Sequence, residues 1–102
     1  VSHIPHLIAY NMVNLIAGKS NRDTLLEFAA SGFKDFSRIA GSSPEVWKDI
    51  SLANKTAILN DLDLFVKEIN KTASLIKNED YIALEKYFEV ASKIRKNWSE
   101  KN

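Results

Sequence analysis

The chain has 102 residues, of which 45% are hydrophobic and 26% are charged, a composition typical of one globular domain. Its formal net charge is only +1, which argues against a nucleic-acid-binding surface, because such a surface needs clustered excess Lys and Arg. The absence of cysteine excludes disulfides and thiol catalysis, and no apolar run reaches the roughly 18–20 residues of a membrane span.

The N-terminal segment predicts a helix from Pro5 to about Ala17. Proline fits a first helical turn because its missing N–H would have no partner there, Ser2 can act near the N-cap, and Gly18 is a plausible stop. The helix is apolar on most sides, which predicts a central position. One stripe of it carries polar or amphipathic side chains at helical spacing, namely His3, His6, Tyr10 and Asn14. The simpler interpretation of this stripe is a set of half-buried, hydrogen-bonded residues.

Two short helices are predicted next. The first opens at Asn21 and Asp23, which place a cap and an acid at the positive end of a helix, and it stops at Ser31-Gly32. The second covers Phe33–Ala40 and ends at Gly41.

A further helix is predicted from the strong start signal Ser43-Pro44-Glu45, with serine as N-cap, proline at the first position and an acid in the first turn. We expect a kink or a new cap around Ala53-Asn54, because asparagine is a good N-cap and the pattern from Lys55 onward is strongly periodic.

Two long helices complete the chain. From Lys55 to Lys77 the apolar residues recur at spacings of four and three, and a second seam of this kind follows the turn Asn78-Glu79-Asp80. The pattern predicts an all-α fold in which short N-terminal helices precede a long antiparallel helical hairpin. Two long apolar seams exceed what the short helices can cover, so we expect an intertwined helical homodimer. The alternative is a monomer whose hairpin folds over the N-terminal helices.

The spacing His3-x-x-His6 raises the question of a metal site. Two histidines need a third ligand, and no acidic residue occurs before Asp23, so we expect no metal here. The two histidines are better suited to offering hydrogen bonds to an anionic ligand.

Arg38 is the first candidate for binding a charged small molecule, because its planar guanidinium matches a carboxylate. The alternative is a local ion pair with Asp35, three residues earlier, and the two interpretations are compatible. No Ser–His–acid or paired-carboxylate arrangement is evident, so this chain alone does not look like a complete active site.

Three blocks of the sequence, read together, resemble a known family. Val1–Ala9 contains Ser-His-x-Pro-His, Gly32–Ala40 contains Gly-Phe-x-Asp-x-x-Arg-Ile-Ala, and Ser43–Ile50 is followed by Asn54. In order and spacing they resemble the C-terminal domain of prephenate dehydrogenase, over nearly the whole chain. The resemblance implies one helical domain, residues 1–102, that dimerises and closes one side of an active site.

The same resemblance implies the reaction and its remaining parts. The family oxidatively decarboxylates prephenate to 4-hydroxyphenylpyruvate in tyrosine biosynthesis, with NAD or NADP bound by an N-terminal Rossmann domain. The chain begins at Val1 without methionine and has no Gly-x-Gly-x-x-Gly loop, so we expect that domain to lie outside these 102 residues. The resemblance also assigns the catalytic histidine to that domain, and we expect a cytoplasmic enzyme without a signal peptide.

Carried over by position, Arg38 matches the family arginine that holds a substrate carboxylate. His6 matches a histidine lining the substrate pocket and His3 lies beside it, while Asp35 and Trp47 match supporting residues near the pocket and the dimer contact. Two alternatives stay open at this point: an arogenate dehydrogenase of the same architecture, and a non-catalytic helical dimerisation module.

Overall fold

The computed structural model describes residues 3–101, and the side chains of residues 3–98. Within that range the chain forms six α-helices and one 3-10 turn, and no β-strand, which confirms the all-α prediction. The elements are α1 (Ile4–Ala17), α2 (Arg22–Glu27), α3 (Ser31–Ser37), the 3-10 turn (Arg38–Gly41), α4 (Pro44–Ala53), α5 (Lys55–Lys77) and α6 (Tyr81–Lys101). None of the described helices combines the length and apolar character needed to cross a membrane.

The bounds of α1 agree with the sequence prediction. Pro5 lies in the first turn and Gly18 follows the last helical residue, donating its N–H to the carbonyl of Asn14. The predicted cap Ser2 lies outside the described residues. His3 occupies the N-cap position, and its side chain makes no capping hydrogen bond.

The helices around Gly32 differ from the prediction. The second helix ends at Glu27 rather than at Gly32, and α3 starts at Ser31 after Ala30, whose backbone is extended (φ −72°, ψ 163°). Gly32 is thus a helical residue, and an added Cβ would meet nothing within 4 Å there. The non-helical residues 28–30, and not the glycine, separate the two helices.

The predicted single helix Phe33–Ala40 is an α-helix followed by a 3-10 turn. The backbone N–H of Ser42 bonds the carbonyl of Ile39, three residues back, at 3.2 Å, which closes the tighter turn. Pro44 then has no N–H to offer the carbonyl of Ala40, so the helix does not continue beyond this turn. Gly41 ends the turn as predicted.

Helix α4 begins as the sequence predicts. Pro44 is its first residue, Glu45 lies in the first turn, and the Ser43 hydroxyl accepts the N–H of Val46 at 3.4 Å. The predicted break at Asn54 is confirmed. Asn54 directly precedes α5, and its carbonyl accepts the N–H of Ile58 at 2.9 Å. Its side chain donates to the Ile50 carbonyl at 2.9 Å, at the end of α4.

The helices separate into two compact units, and α5 contributes to both. The first unit extends to Leu62. Within it α1 is central, as predicted, since α2, α3 and the 3-10 turn all pack against it. Ala9 of α1 is fully buried and Ile58 of α5 is 5% exposed, and these are the buried hydrophobic residues among those described. Most other apolar side chains stay partly or largely exposed.

The second unit starts at Asp63 and contains the rest of α5 together with α6. The turn between them ends α5 with paired backbone bonds: Glu79 N–H to the Ile76 carbonyl and Asp80 N–H to the Leu75 carbonyl, both at 3.0 Å. This is the Schellman arrangement, and Glu79 adopts a positive φ of 54° within it. The Asp80 carboxylate then accepts the N–H of Ala83 at 3.2 Å at the start of α6.

A side-chain hydrogen bond joins the two arms of this hairpin. The Tyr87 hydroxyl of α6 donates to the Glu68 carboxylate of α5, and Lys71 donates to the other carboxylate oxygen at 3.3 Å. The Tyr87 hydrogen bond, with that of Lys71 and its positive charge, holds the pKa of Glu68 below the usual value of 4.5. On α6, Glu89 and Lys93 are four residues apart and form an ion pair at 3.0 Å.

Candidate functional site

The two histidines predicted to face a ligand lie together against a tryptophan. The His6 ring stacks on Trp47, with ring centroids 4.1 Å apart and planes 15° from parallel. His3 meets the same indole edge-on, at 6.0 Å and 77°. The spacing of three residues places both imidazoles on one face of the start of α1, while Trp47 comes from the first turns of α4. All three are half-buried.

One ring nitrogen of His6 has no partner among the described residues. Its Nδ1 is buried, and no hydrogen bond to it is present. A buried polar atom without a partner costs about 1–3 kcal/mol, so native structures rarely retain one unless a water, ion or ligand completes it. The described residues therefore leave this ring nitrogen of His6 open to a further partner.

Tyr10 of the polar stripe makes the hydrogen bond expected of a half-buried tyrosine. Its hydroxyl donates to the backbone carbonyl of Ser42 at 2.7 Å, across 32 residues of sequence. The Ser42 hydroxyl in turn donates to the Ile39 carbonyl at 2.7 Å. Together these two bonds tie α1 to the end of the 3-10 turn. Sequence reasoning missed Ser42, because Ser42-Ser43-Pro44 reads only as a helix start.

Arg38 is the first residue of the 3-10 turn, and that turn packs against α1. Its side chain is exposed and makes no hydrogen bond or ion pair with any side chain described between residues 3 and 98. The local pair with Asp35, weighed as the alternative role of the arginine, is not formed. No described side chain therefore occupies the guanidinium donors.

The charged and polar groups of α1 and of the 3-10 turn favour an anion over a cation. Helix α1 carries no acidic residue, and the exposed Asp35 is the acid nearest to Arg38 in sequence. No three metal-binding side chains come together among the described residues. Arg38 can bind a carboxylate through two parallel N–H···O bonds, and imidazole N–H groups can add further donors.

The sequence matches the family described as "Prephenate dehydrogenase, dimerization domain" over residues 1–90. It is 41% identical over 96 residues to a prephenate dehydrogenase of Bacillus subtilis (strain 168), covering 93% of this chain and 26% of that protein. It is 35% identical over 96 residues to a cyclohexadienyl dehydrogenase of Zymomonas mobilis, covering 92% of this chain and 33% of that protein. The chain thus spans about a quarter to a third of the length of these relatives.

The fold is also similar to a solved structure. A crystal structure of Synechocystis arogenate dehydrogenase superposes with a TM-score of 0.85, at 24% sequence identity, over 95% of this chain and 36% of that one. At this identity the likeness concerns the fold, and it agrees with the all-helical architecture described above.

Proposed function

This chain belongs to the prephenate dehydrogenase dimerization-domain family, and from that premise we propose that it is the helical C-terminal domain of a prephenate dehydrogenase. The full-length enzyme would oxidatively decarboxylate prephenate to 4-hydroxyphenylpyruvate, a step of tyrosine biosynthesis, in the cytoplasm. The relatives named prephenate dehydrogenase in Bacillus subtilis and Lactococcus lactis, 41% and 33% identical, support this assignment.

The chain's own residues do not fit a dinucleotide. Its three glycines stand singly, none has a positive φ, and Gly32 and Gly41 face open space instead of forming a phosphate cradle. We therefore assign NAD or NADP to an N-terminal Rossmann domain of the full-length protein, and residues 1–102 to a single helical domain beside it. No step of hydride transfer is assigned to a residue of this chain.

The part proposed for this chain is holding the substrate. Arg38 would bind a substrate carboxylate through its guanidinium, and His6 and His3 would line the same pocket and offer hydrogen bonds. Trp47 would support both histidines through its ring contacts, at 4.1 Å and 6.0 Å. Asp35, three residues before Arg38, would influence the orientation of the arginine. The observation that carries the proposal is that Arg38, on a turn packed against the histidine-bearing helix, has no partner among the described side chains.

The second candidate is an arogenate dehydrogenase of the same architecture. It is favoured by a relative named cyclohexadienyl dehydrogenase and by the structural likeness to an arogenate dehydrogenase. Prephenate and arogenate both keep the ring carboxylate, so an arginine that binds this group serves either substrate.

We also propose that the enzyme is a homodimer through the α5–α6 hairpin. Large apolar side chains stay exposed in the single chain along both arms, including Ile69, Ile76, Val90, Ile94 and Trp98. An open apolar groove of about 450 Å³ lies along the same two arms, and Leu75, Tyr87 and Ile94 contribute to its lining. Burying apolar surface yields about 25 cal/mol per Å², so a second copy on this face would stabilise both chains.

Replacing Arg38 in the full-length enzyme tests the proposed site. A charge-assisted hydrogen bond contributes roughly 1.5–3 kcal/mol, so Arg38→Ala should lower kcat/KM for prephenate by about one to two decades. Arg38→Lys keeps the charge and loses the planar fork, and it should fall between wild type and alanine. Lys34→Ala, an exposed cation on α3, is the matched control and should keep wild-type kinetics.

Steady-state kinetics with prephenate and arogenate separate the two candidate substrates. A higher kcat/KM for arogenate than for prephenate assigns the enzyme to the second candidate. The proposed role of Arg38 is supported if kcat/KM falls for both substrates in Arg38→Ala. Unchanged kinetics of Arg38→Ala with both substrates would remove Arg38 from the site.

A further inference from the structure

We infer that Tyr10 is a positioning residue for Arg38: its hydrogen bond to Ser42 holds the 3-10 turn in the place from which the arginine meets the substrate. This inference rests on the proposed carboxylate-binding role of Arg38. Tyr10 itself touches no reacting group in the proposal.

Tyr10 connects the two parts of the proposed site. It lies four residues, or about one helical turn, after His6 on the same face of α1. Its hydroxyl reaches the carbonyl of Ser42, immediately after the 3-10 turn, at 2.7 Å, and this hydrogen bond is partly buried. The helix that carries the histidines is thereby fastened to the turn that carries Arg38.

Ser42 transmits this connection into the turn. Both its hydroxyl and its backbone N–H donate to the carbonyl of Ile39, at 2.7 Å and 3.2 Å. Ile39 directly follows Arg38, so these bonds close the turn on itself beside the arginine, and the Tyr10 bond adds to the packing of the turn against α1. Any shift of Ser42 relative to α1 is therefore passed to the backbone of Arg38.

The arginine depends on this anchoring, because its side chain has no partner among the described side chains between residues 3 and 98. A guanidinium held by a neighbouring carboxylate would keep its direction even if the turn moved slightly. Among the described residues, the backbone of the turn is what places the fork. Two parallel bonds to a carboxylate demand alignment, so a looser turn weakens substrate binding before it affects chemistry.

Tyr10→Phe in the full-length enzyme removes the hydroxyl and retains the ring. Because one partly buried hydrogen bond is lost, we expect KM for the preferred substrate to rise about three- to tenfold. We expect kcat to stay within about twofold of wild type. A tyrosine that only stabilises the fold would lower the melting temperature and leave KM of the folded enzyme unchanged. That result would overturn the inference.

A double-mutant cycle with Arg38→Ala shows whether Tyr10 acts through the arginine. If it does, Tyr10→Phe causes no further rise of KM once Arg38 is alanine. If the two substitutions raise KM independently, so that their effects multiply in the double variant, the inference is overturned and the proposed function is untouched. Normal kinetics of Arg38→Ala by itself would instead refute the proposed function.

Ser42→Ala provides a second route to the same test. It removes the hydroxyl bond to Ile39 and leaves the carbonyl that accepts from Tyr10. We expect a smaller rise of KM in the same direction, again abolished in the Arg38→Ala background. If Tyr10→Phe yields no folded enzyme, this variant decides the question: an unchanged KM, or a rise that persists without Arg38, contradicts the inference.

Discussion

Replacing Glu79 with glycine should stabilise the junction between α5 and α6. Among the described residues other than glycine, Glu79 alone has a positive φ, of 54°. It occupies the position after the helix cap at which most helices of this type carry glycine. Its N–H is committed to the Ile76 carbonyl at 3.0 Å, so the left-handed conformation is built into the end of α5.

The size of the effect follows from two opposing contributions. Holding an L-residue in the left-handed region costs roughly 1–2 kcal/mol, because Cβ crowds the following carbonyl. Glycine avoids that cost but loses about 0.5–1 kcal/mol more conformational entropy than alanine when the chain folds. The net expectation for Glu79→Gly is a gain of about 0.5–1 kcal/mol in the free energy of unfolding.

The measurement is denaturant or thermal unfolding of the full-length protein at a fixed protein concentration, since association also contributes to stability. Glu79→Ala is the matched control, because it removes the carboxylate while keeping Cβ. Only the glycine variant should have a free energy of unfolding about 0.5–1 kcal/mol above that of wild type. If the alanine variant is stabilised as much as the glycine variant, the gain comes from removing the charge, and the argument from backbone strain is refuted.

Two further predictions concern the hairpin. The pKa of Glu68 is lowered mainly by the Tyr87 hydrogen bond. The ionised carboxylate therefore stabilises the folded state at pH values above the pKa of the unfolded chain, near 4.5. This contribution is lost as the pH falls through the lower pKa of the folded state. Glu68→Gln should therefore be less stable than wild type at neutral pH and equally stable in strong acid, and a constant difference across a pH series of melts would contradict this. Ile94, 64% exposed in the single chain, should lie in the dimer interface. Ile94→Glu should shift the full-length enzyme towards monomer in sedimentation velocity, with Lys96→Glu as the charge-changing control, and an unperturbed dimer would remove this face from the interface.

The boundaries that sequence reasoning predicted correctly depend on local signals. Helix α4 starts where serine, proline and glutamate follow one another, and α5 covers Lys55–Lys77 as its apolar spacing indicates. These features act within one or two turns, so the sequence carries them in full. The predicted helix end at Gly32 was wrong because glycine was taken as a stop. The helix is interrupted at residues 28–30, and Gly32 is itself helical.

The candidate site divides in the same way. The residue types of Arg38, His3 and His6, together with their spacing and resemblance to a family, were sufficient to select them. Their roles as substrate-binding residues stay predictions. The sequence left open whether Arg38 pairs with Asp35, since residues three apart on a helix can meet. The structure decides this, and it leaves the arginine unpaired among the described side chains.

By itself, then, the sequence determined an all-helical chain, most of its helix ends and a short set of groups suited to an anion, because propensity, capping and periodicity act over a few residues. Only the tertiary structure brought Trp47 onto His6 at 4.1 Å and the Tyr10 hydroxyl onto the Ser42 carbonyl at 2.7 Å. Contacts between residues more than thirty positions apart depend on how whole helices pack. No local pattern encodes that packing.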